Sequence, residues 1–285
     1  MDCIEKEFPM MDSEDRRLSH LQECELILAE ELKRICELYH LKYFLVAGSM
    51  LGAVRHQGFI PWDDDMDFGM PRADYEEFLK MCKKELGSSY KITNWEEDTD
   101  FPFSYSKLVL KDTSIREEFS PKDLKNNGIF IDIFPFDKAP DTKVEQRKQA
   151  RRIFYLRRAL WLKKGYGRVI TSHGVKNALK YYLSRIMVVF LPYALLKSCF
   201  SKTIKKYNKT NCNKMAMDCQ YPYTKNIIDK HWMDNLVLYD FSGKLFPGFR
   251  DYDPYLKRIY GDYLELPKKE DRMNHGILEI DFGSY

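Results

Sequence analysis

Apolar residues recur at three- and four-residue steps early in the chain, at Leu18, Leu21, Cys24, Leu28, Leu32, Ile35 and Tyr39. That spacing predicts an amphipathic helix beginning near Ser13, a capping residue followed by the acidic Glu14 and Asp15. The rhythm then changes. Tyr43–Val46 is a short apolar run, read as a buried strand, Gly48-Ser49 breaks it, and a helical turn over Met50–His56 follows. Gly58 and Pro61 punctuate a loop before a strand at Asp65–Met70, and Tyr75, Phe78, Leu79 and Cys82 mark a second amphipathic helix over Arg72–Leu86. Strand-like runs follow at Tyr90–Asn94, Phe103–Leu110, Ser114–Phe119 and Ile129–Phe134. Helix and strand alternate first and strands cluster afterwards, which predicts an α/β (α+β) fold: a mixed sheet flanked by helices, with an added helical segment.

That added segment runs from Asp141 to about Asn211. Lys143, Arg147, Lys148, Arg151, Arg152, Arg157, Arg158, Lys163, Lys164 and Arg168 crowd it, and the uncharged run Ile186–Leu196 follows. The run is about half the roughly 20 residues a membrane span needs. It reads either as a buried core helix or as part of a basic, partly apolar face resting on anionic lipid. Tyr221–Tyr285 returns to short strands, a helix near Asp253–Tyr260 and a loop rich in proline and charge. The organisation is therefore a core over 1–140, a basic helical segment over 141–220 that faces a membrane or an acceptor, and a C-terminal segment over 221–285 that completes the site.

Composition narrows the classes. With 44% hydrophobic and 31% charged residues in a chain of 285, a sizeable core is available. A net charge of +3 and the lack of any recognition motif argue against nucleic acid as a partner. Seven scattered cysteines and a charged N-terminus without an apolar export signal point to a reducing cytoplasm, with peripheral contact at the inner face of a membrane. Cys212 and Cys219 with His231 or His275 can be drawn as a zinc set, but the spacing matches no common finger.

The chemistry concentrates in GSMLGAVRHQGFIPWDDDMDFGM, Gly48 to Met70. Strand alternation puts Asp65 and Asp67 on one face and sends Met66 and Phe68 the other way, into a core. Two like charges so close call for neutralisation, and a hard divalent cation, Mg²⁺ or Mn²⁺, supplies it through oxygen ligands. Asp63 and Asp64 extend the run, with Asp64 on the face opposite Asp65. The Gly48-Ser49 turn offers backbone N–H groups and a hydroxyl to an anion, and Arg55 and His56 can reach a phosphate. Asp132, in GIFIDIFPFD, sits in a strand whose other face is Ile129, Ile131 and Ile133. An aspartate in so apolar a strand calls for a partner or a ligand, which makes it the third candidate metal ligand and the acceptor of a hydroxyl proton. Lys107, in YSKLVLKDTS, is a candidate clamp on a leaving phosphate or else an exposed strand lysine. Phosphate held by the turn and metal held by aspartates is the arrangement that phosphoryl transfer uses.

These blocks, with FIDIFPFD and YLKRIYGDYLELPKKEDRMNHG, resemble the LicD-type phosphotransferase family over roughly Leu32 to Gly276. That family is similar to the nucleotidyltransferase superfamily and includes the fukutin-like enzymes. The resemblance implies transfer of phosphocholine from a CDP-linked donor, CDP-choline, to a sugar hydroxyl of a cell-surface glycan precursor such as lipopolysaccharide or teichoic acid. CMP leaves, and the acceptor is lipid-linked. It places Mg²⁺ on Asp65, Asp67 and Asp132 and donor phosphates at Gly48 and Ser49. The alternatives are the same chemistry with CDP-glycerol, CDP-ribitol or a CMP-linked aminoethylphosphonate, and a non-catalytic membrane-surface adaptor, against which the intact Gly48, Ser49, Asp65, Asp67 and Asp132 argue. The C-terminal block matches at Tyr260, Gly261, Asp262, Tyr263, Leu266, Pro267, Arg272 and His275, and Asp262, Arg272 and His275 are expected to fold back beside the metal strand. Many members carry a second proline where this chain has Lys268. A choline head group would call for an aromatic cage, for which Trp62, Trp95, Tyr105, Trp161 and Trp232 are candidates.

Overall fold

The computed structural model describes residues 13–98, 100–118, 128–166, 185–186, 188, 190–272, 274 and 276–285. Phe119, Arg168, His275 and parts of the Ile186–Leu196 run lie outside them.

Helix α1 (Ser13–Leu38) follows the predicted stripe: Leu21, Cys24, Leu28, Leu32 and Ile35 are all buried. The central sheet comprises β1 (Phe44–Leu45), β2 (Asp67–Pro71), β3 (Tyr90–Thr93), β4 (Ser106–Leu110) and β6 (Phe130–Ala139), in the order β1-β2-β6-β4-β3. Only the β2–β6 pair is parallel, so the sheet is mixed. Both strands are buried on both faces, which is why their sequences read as apolar runs with little alternation. At Gly69 an added methyl would approach the rings of Phe136 and Phe44 to 2.6 Å, so glycine there permits β2 to pack this closely. Helix α2 (Ala47–His56) connects β1 toward β2, and α3 (Arg72–Glu85) leaves β2 at Pro71.

β6 is the spine. Beyond its β2 contacts it continues to Ala139 and pairs with β7 (Lys214–Ala216), which pairs with β8 (Ile227–Asp229). The predicted strand end at Phe134 is thus too early. In the fold Asp137 is fully buried and neutralised by Arg72, whose two guanidinium N–H groups donate to its oxygens at 2.9 and 2.6 Å. β5 (Ser114–Glu117) leaves the main sheet and pairs with the C-terminal β11 (Ile277–Asp281). Helix α4 (Lys143–Lys163) and α5 (Tyr193–Ile204) cover β7 and β8 over a second, smaller core that includes Ile153, Leu160, Phe200 and Ile227. A short helix α6 (Lys230–Asp234), the hairpin β9 (Leu236–Phe241) and β10 (Lys244–Phe249), and α7 (Tyr252–Tyr260) complete the chain. The Ile186–Leu196 run is not one helix: α5 starts only after Pro192, with Phe190 and Leu191 exposed ahead of it. No described helix is long and apolar enough to cross a membrane.

Candidate active site

The site begins with register. Asp67 opens β2 and lies directly opposite Asp132 of β6, and Lys107 of β4 lies opposite Asp132 on the other side. Side chains at paired positions share a face, so the two carboxylates and the ammonium stand in a row across three strands. Asp67 and Asp132 are 7% and 8% exposed. The Lys107 ammonium is 3.7 Å from Asp132 Oδ1 and 3.1 Å from the centre of the Phe130 ring. Lys107 is therefore neither an exposed strand lysine nor part of the cavity lining; it balances charge beside Asp132.

The aspartates before β2 are held from several directions. The Asp132 backbone N–H donates to the Met66 carbonyl at 3.0 Å, the Gln22 side chain of α1 donates to the Asp63 carbonyl at 2.9 Å, and the Asp63 N–H donates to Ile60 at 2.9 Å. Strand geometry starts only at Asp67, so the alternation rule fails for the residues before it. In this bent segment Asp63, Asp64 and Asp65 can bring one oxygen each within 4.8 Å of one another. Asp64 is nonetheless the buried member, at 5% exposure, whereas Asp63 and Asp65 line the cavity with Asp67 and Asp132. An all-oxygen set of this kind suits a hard divalent cation.

The Gly-Ser turn differs from the sequence reading in detail. α2 already begins at Ala47, so Gly48 and Ser49 form its first turn instead of a break before it. The chain turns the corner at Ala47, in left-handed backbone at φ 45°, and its N–H donates to the Tyr255 hydroxyl of α7 at 2.8 Å. The Ser49 hydroxyl accepts the Asp67 backbone N–H at 2.7 Å and does not line the cavity. Its task is to fasten α2 to the start of β2. Gly48 does line the cavity, and a Cβ there would come within 2.7 Å of Asp63 Oδ2. The first turn of α2 thus meets the aspartate run closely, with a helix N-terminus directed at the place where an anion would sit.

Arg55 also lines the cavity. Its Nε–H donates to His56 Nε2 at 2.9 Å and its Nη1–H to the Tyr263 carbonyl at 2.6 Å, which ties α2 to the C-terminal segment. Burial and then the Arg55 charge push the His56 imidazole below its ordinary value, so His56 acts as a neutral acceptor for Arg55. Asp262 reaches the cavity rim, while Arg272 stacks its guanidinium 4.2 Å from the Trp62 ring centre instead of entering the cavity. The cavity itself is about 890 Å³, large enough for a nucleotide-sized ligand.

Glu25 and Tyr221 carry no sequence signal for the site, and Tyr260 is matched in the C-terminal block without a role. Glu25 of α1 is 1% exposed, and among the described residues its Oε2 has no hydrogen-bond partner. Burial, and then the fields of Asp65, Asp64, Asp63 and Asp67, push its carboxyl well above the ordinary range. Tyr221 and Tyr260 line the cavity, and burial together with those aspartates raises both phenols. They remain protonated donors. Helical spacing disguises Glu25 as an exposed position, and Tyr221 lies in a segment with no periodicity; neither carries a sequence signal. Of the aromatic candidates, Trp62 and Tyr105 line the cavity; Trp95, Trp161 and Trp232 pack elsewhere. Among the described residues Cys212, Cys219 and His231 are not gathered into a metal-binding group.

Residues 40–161 match the LicD/FKTN/FKRP nucleotidyltransferase domain. Lipopolysaccharide cholinephosphotransferase LicD of Haemophilus influenzae is 28% identical over 260 residues, covering 86% of this chain and 90% of that protein. Ribitol 5-phosphate transferase FKRP of Mus musculus is 32% identical over 102 residues, 36% of this chain and 18% of the relative. The uncharacterised protein RP689 of Rickettsia prowazekii is 33% identical over 92 residues, 26% of this chain and 33% of the relative. In its domain match, and in its relationship along most of a lipopolysaccharide cholinephosphotransferase, this chain is similar to the LicD-type phosphotransferases.

Proposed function

We propose that the protein transfers phosphocholine from CDP-choline to a hydroxyl of a lipid-linked glycan and releases CMP. The observation that carries this reading is the pair Asp67 and Asp132, neighbours across parallel strands at the wall of a nucleotide-sized cavity, with Lys107 beside Asp132 on the next strand. The acceptor hydroxyl oxygen attacks the phosphorus bearing choline, the bond from that phosphorus to the CMP oxygen breaks, and the hydroxyl proton passes to a carboxylate. Asp132 would take that proton, and the Lys107 ammonium 3.7 Å away would balance its charge. Gly48 and the first turn of α2 face the donor phosphates, and Arg55 adds positive charge at the rim. Asp65, Asp67 and Asp132 would hold Mg²⁺ or Mn²⁺, with Asp63 adjoining; when bound, the ion supplies Lewis-acid stabilisation of charge on the phosphate oxygens.

Choline as the head group is supported by two things. The relationship to the cholinephosphotransferase runs nearly end to end, whereas that to the ribitol 5-phosphate transferases covers about a third of this chain. The cavity wall also carries Trp62, Tyr105, Phe134, Tyr221, Tyr260 and Tyr263, and aromatic faces suit a quaternary ammonium. The test is a donor panel of CDP-choline, CDP-glycerol and CDP-ribitol with Mg²⁺ and defined glycan acceptors, read by product mass. A phosphocholine adduct is expected, and a ribitol phosphate or glycerol phosphate adduct in its place would reassign the head group.

A further inference from the structure

α4 and α5 form an antiparallel pair. The Gln149 side chain near the start of α4 donates to the Thr203 carbonyl near the end of α5, and Lys164 just past α4 covers the Tyr193 ring that starts α5. Both helices turn their buried sides to the same small core, through Ile153 and Leu160 on one and Leu196, Phe200 and Ile204 on the other. Their outer sides therefore face away from the protein together. On α4 the outermost positions recur as Val144, Lys148, Arg151 and Tyr155, with Val144 and Tyr155 exposed by 62% and 63%. Beside the start of α5 stand Phe190, exposed by 83%, Leu191 and Leu195.

Charge identifies what covers this face. α4 holds eight lysines and arginines, of which all but the buried, inward-paired Arg157 are available to the surface, against the single acid Glu145, in a chain whose net charge is only +3. Aromatic and aliphatic side chains interleaved with arginine and lysine match the headgroup boundary of an anionic bilayer, where the rings enter the acyl edge and the cations meet lipid phosphates. The pair also adjoins the cavity wall. Trp161 of α4 packs on Phe103, which stacks on the cavity-lining Tyr105, and Arg157 donates to the carbonyl of the cavity-lining Cys219. We propose that the outer face of the α4–α5 pair is a docking surface for an anionic lipid bilayer, which the protein meets peripherally with its cavity beside the membrane. This rests on the functional reading only in making the acceptor lipid-linked.

Vesicle co-flotation of the full chain tests it, with no donor or acceptor present. The probes are vesicles of phosphatidylcholine alone, vesicles of phosphatidylcholine with phosphatidylglycerol, and single-stranded RNA as a competing polyanion. Flotation with the phosphatidylglycerol vesicles only, weakened by added salt, is expected. The Lys148→Gln/Arg151→Gln pair should lower partitioning roughly thirtyfold, and Phe190→Ser/Leu195→Ser at least about tenfold. All four positions are exposed, so both variants should keep the wild-type melting temperature and normal phosphocholine transfer to a detergent-free soluble acceptor. Absence of flotation, equal flotation with neutral vesicles, unchanged partitioning of both variants, or binding to RNA instead of vesicles would overturn the docking surface. Flotation with no transfer by any protein form would leave the docking intact and defeat the functional reading.

Discussion

Glu25 shows how much a single buried residue reveals about the site. Its carboxyl is enclosed beneath four aspartates and pushed well above the ordinary value of 4.5. Below the unfolded value both states are protonated and the group is neutral in its effect. As pH rises past it, the unfolded chain ionises Glu25 while the folded chain holds the proton, so stability falls across that window. Urea unfolding of the metal-free protein should therefore show Glu25→Gln more stable than wild type at neutral pH, with a flatter dependence above 4.5. An unchanged slope would mean that the carboxyl is not desolvated there. Gly48 makes a second residue-level prediction. Gly48→Ala puts a methyl 2.7 Å from Asp63 Oδ2, so Asp63 must move and the turnover number should fall with little change in melting temperature. Normal turnover would show that the aspartate run tolerates displacement.

At the scale of elements, what the sequence discloses depends on where regular geometry holds. The stripe of α1, the α3 helix and the α7 helix were readable because their apolar spacing is undisturbed. Asp67 and Asp132 were readable because each sits in a true strand with apolar neighbours. Strand alternation points to Asp65 although the strand begins two residues later, so its place at the cavity comes from the irregular segment before β2 and not from the pleat. The pairing of β5 with β11 and the partner of Asp137 were not legible, since both depend on contacts far apart in sequence. The same holds for the link between α7 and α2. Tyr255→Phe should leave the buried Ala47 N–H without its acceptor and cost about 1–3 kcal/mol of stability, read by denaturant unfolding. A neutral effect would show that α7 is not needed to hold the first turn of α2.

Over the whole molecule, the cavity is assembled from the aspartate segment, α2, β6 and residues drawn from 217–221, 260–271 and Asn274, so no single stretch of sequence contains it. The C-terminal residues close one side, and the Arg272–Trp62 contact and the Arg55 bond to Tyr263 secure them. Arg272→Leu should raise KM for the donor about tenfold at near-constant kcat, since it loosens a wall without touching the reacting atoms. A fall in kcat alone would assign Arg272 a direct part in the chemistry. The central assignment is that Asp67 and Asp132, adjacent across parallel strands, carry the transfer. Steady-state phosphocholine transfer at saturating Mg²⁺, followed by product mass with melting temperature as the control, tests it in Asp67→Asn and Asp132→Asn. Each variant should stay folded and lose roughly 10²–10⁴-fold in kcat; near-normal transfer by either folded variant would contradict the assignment.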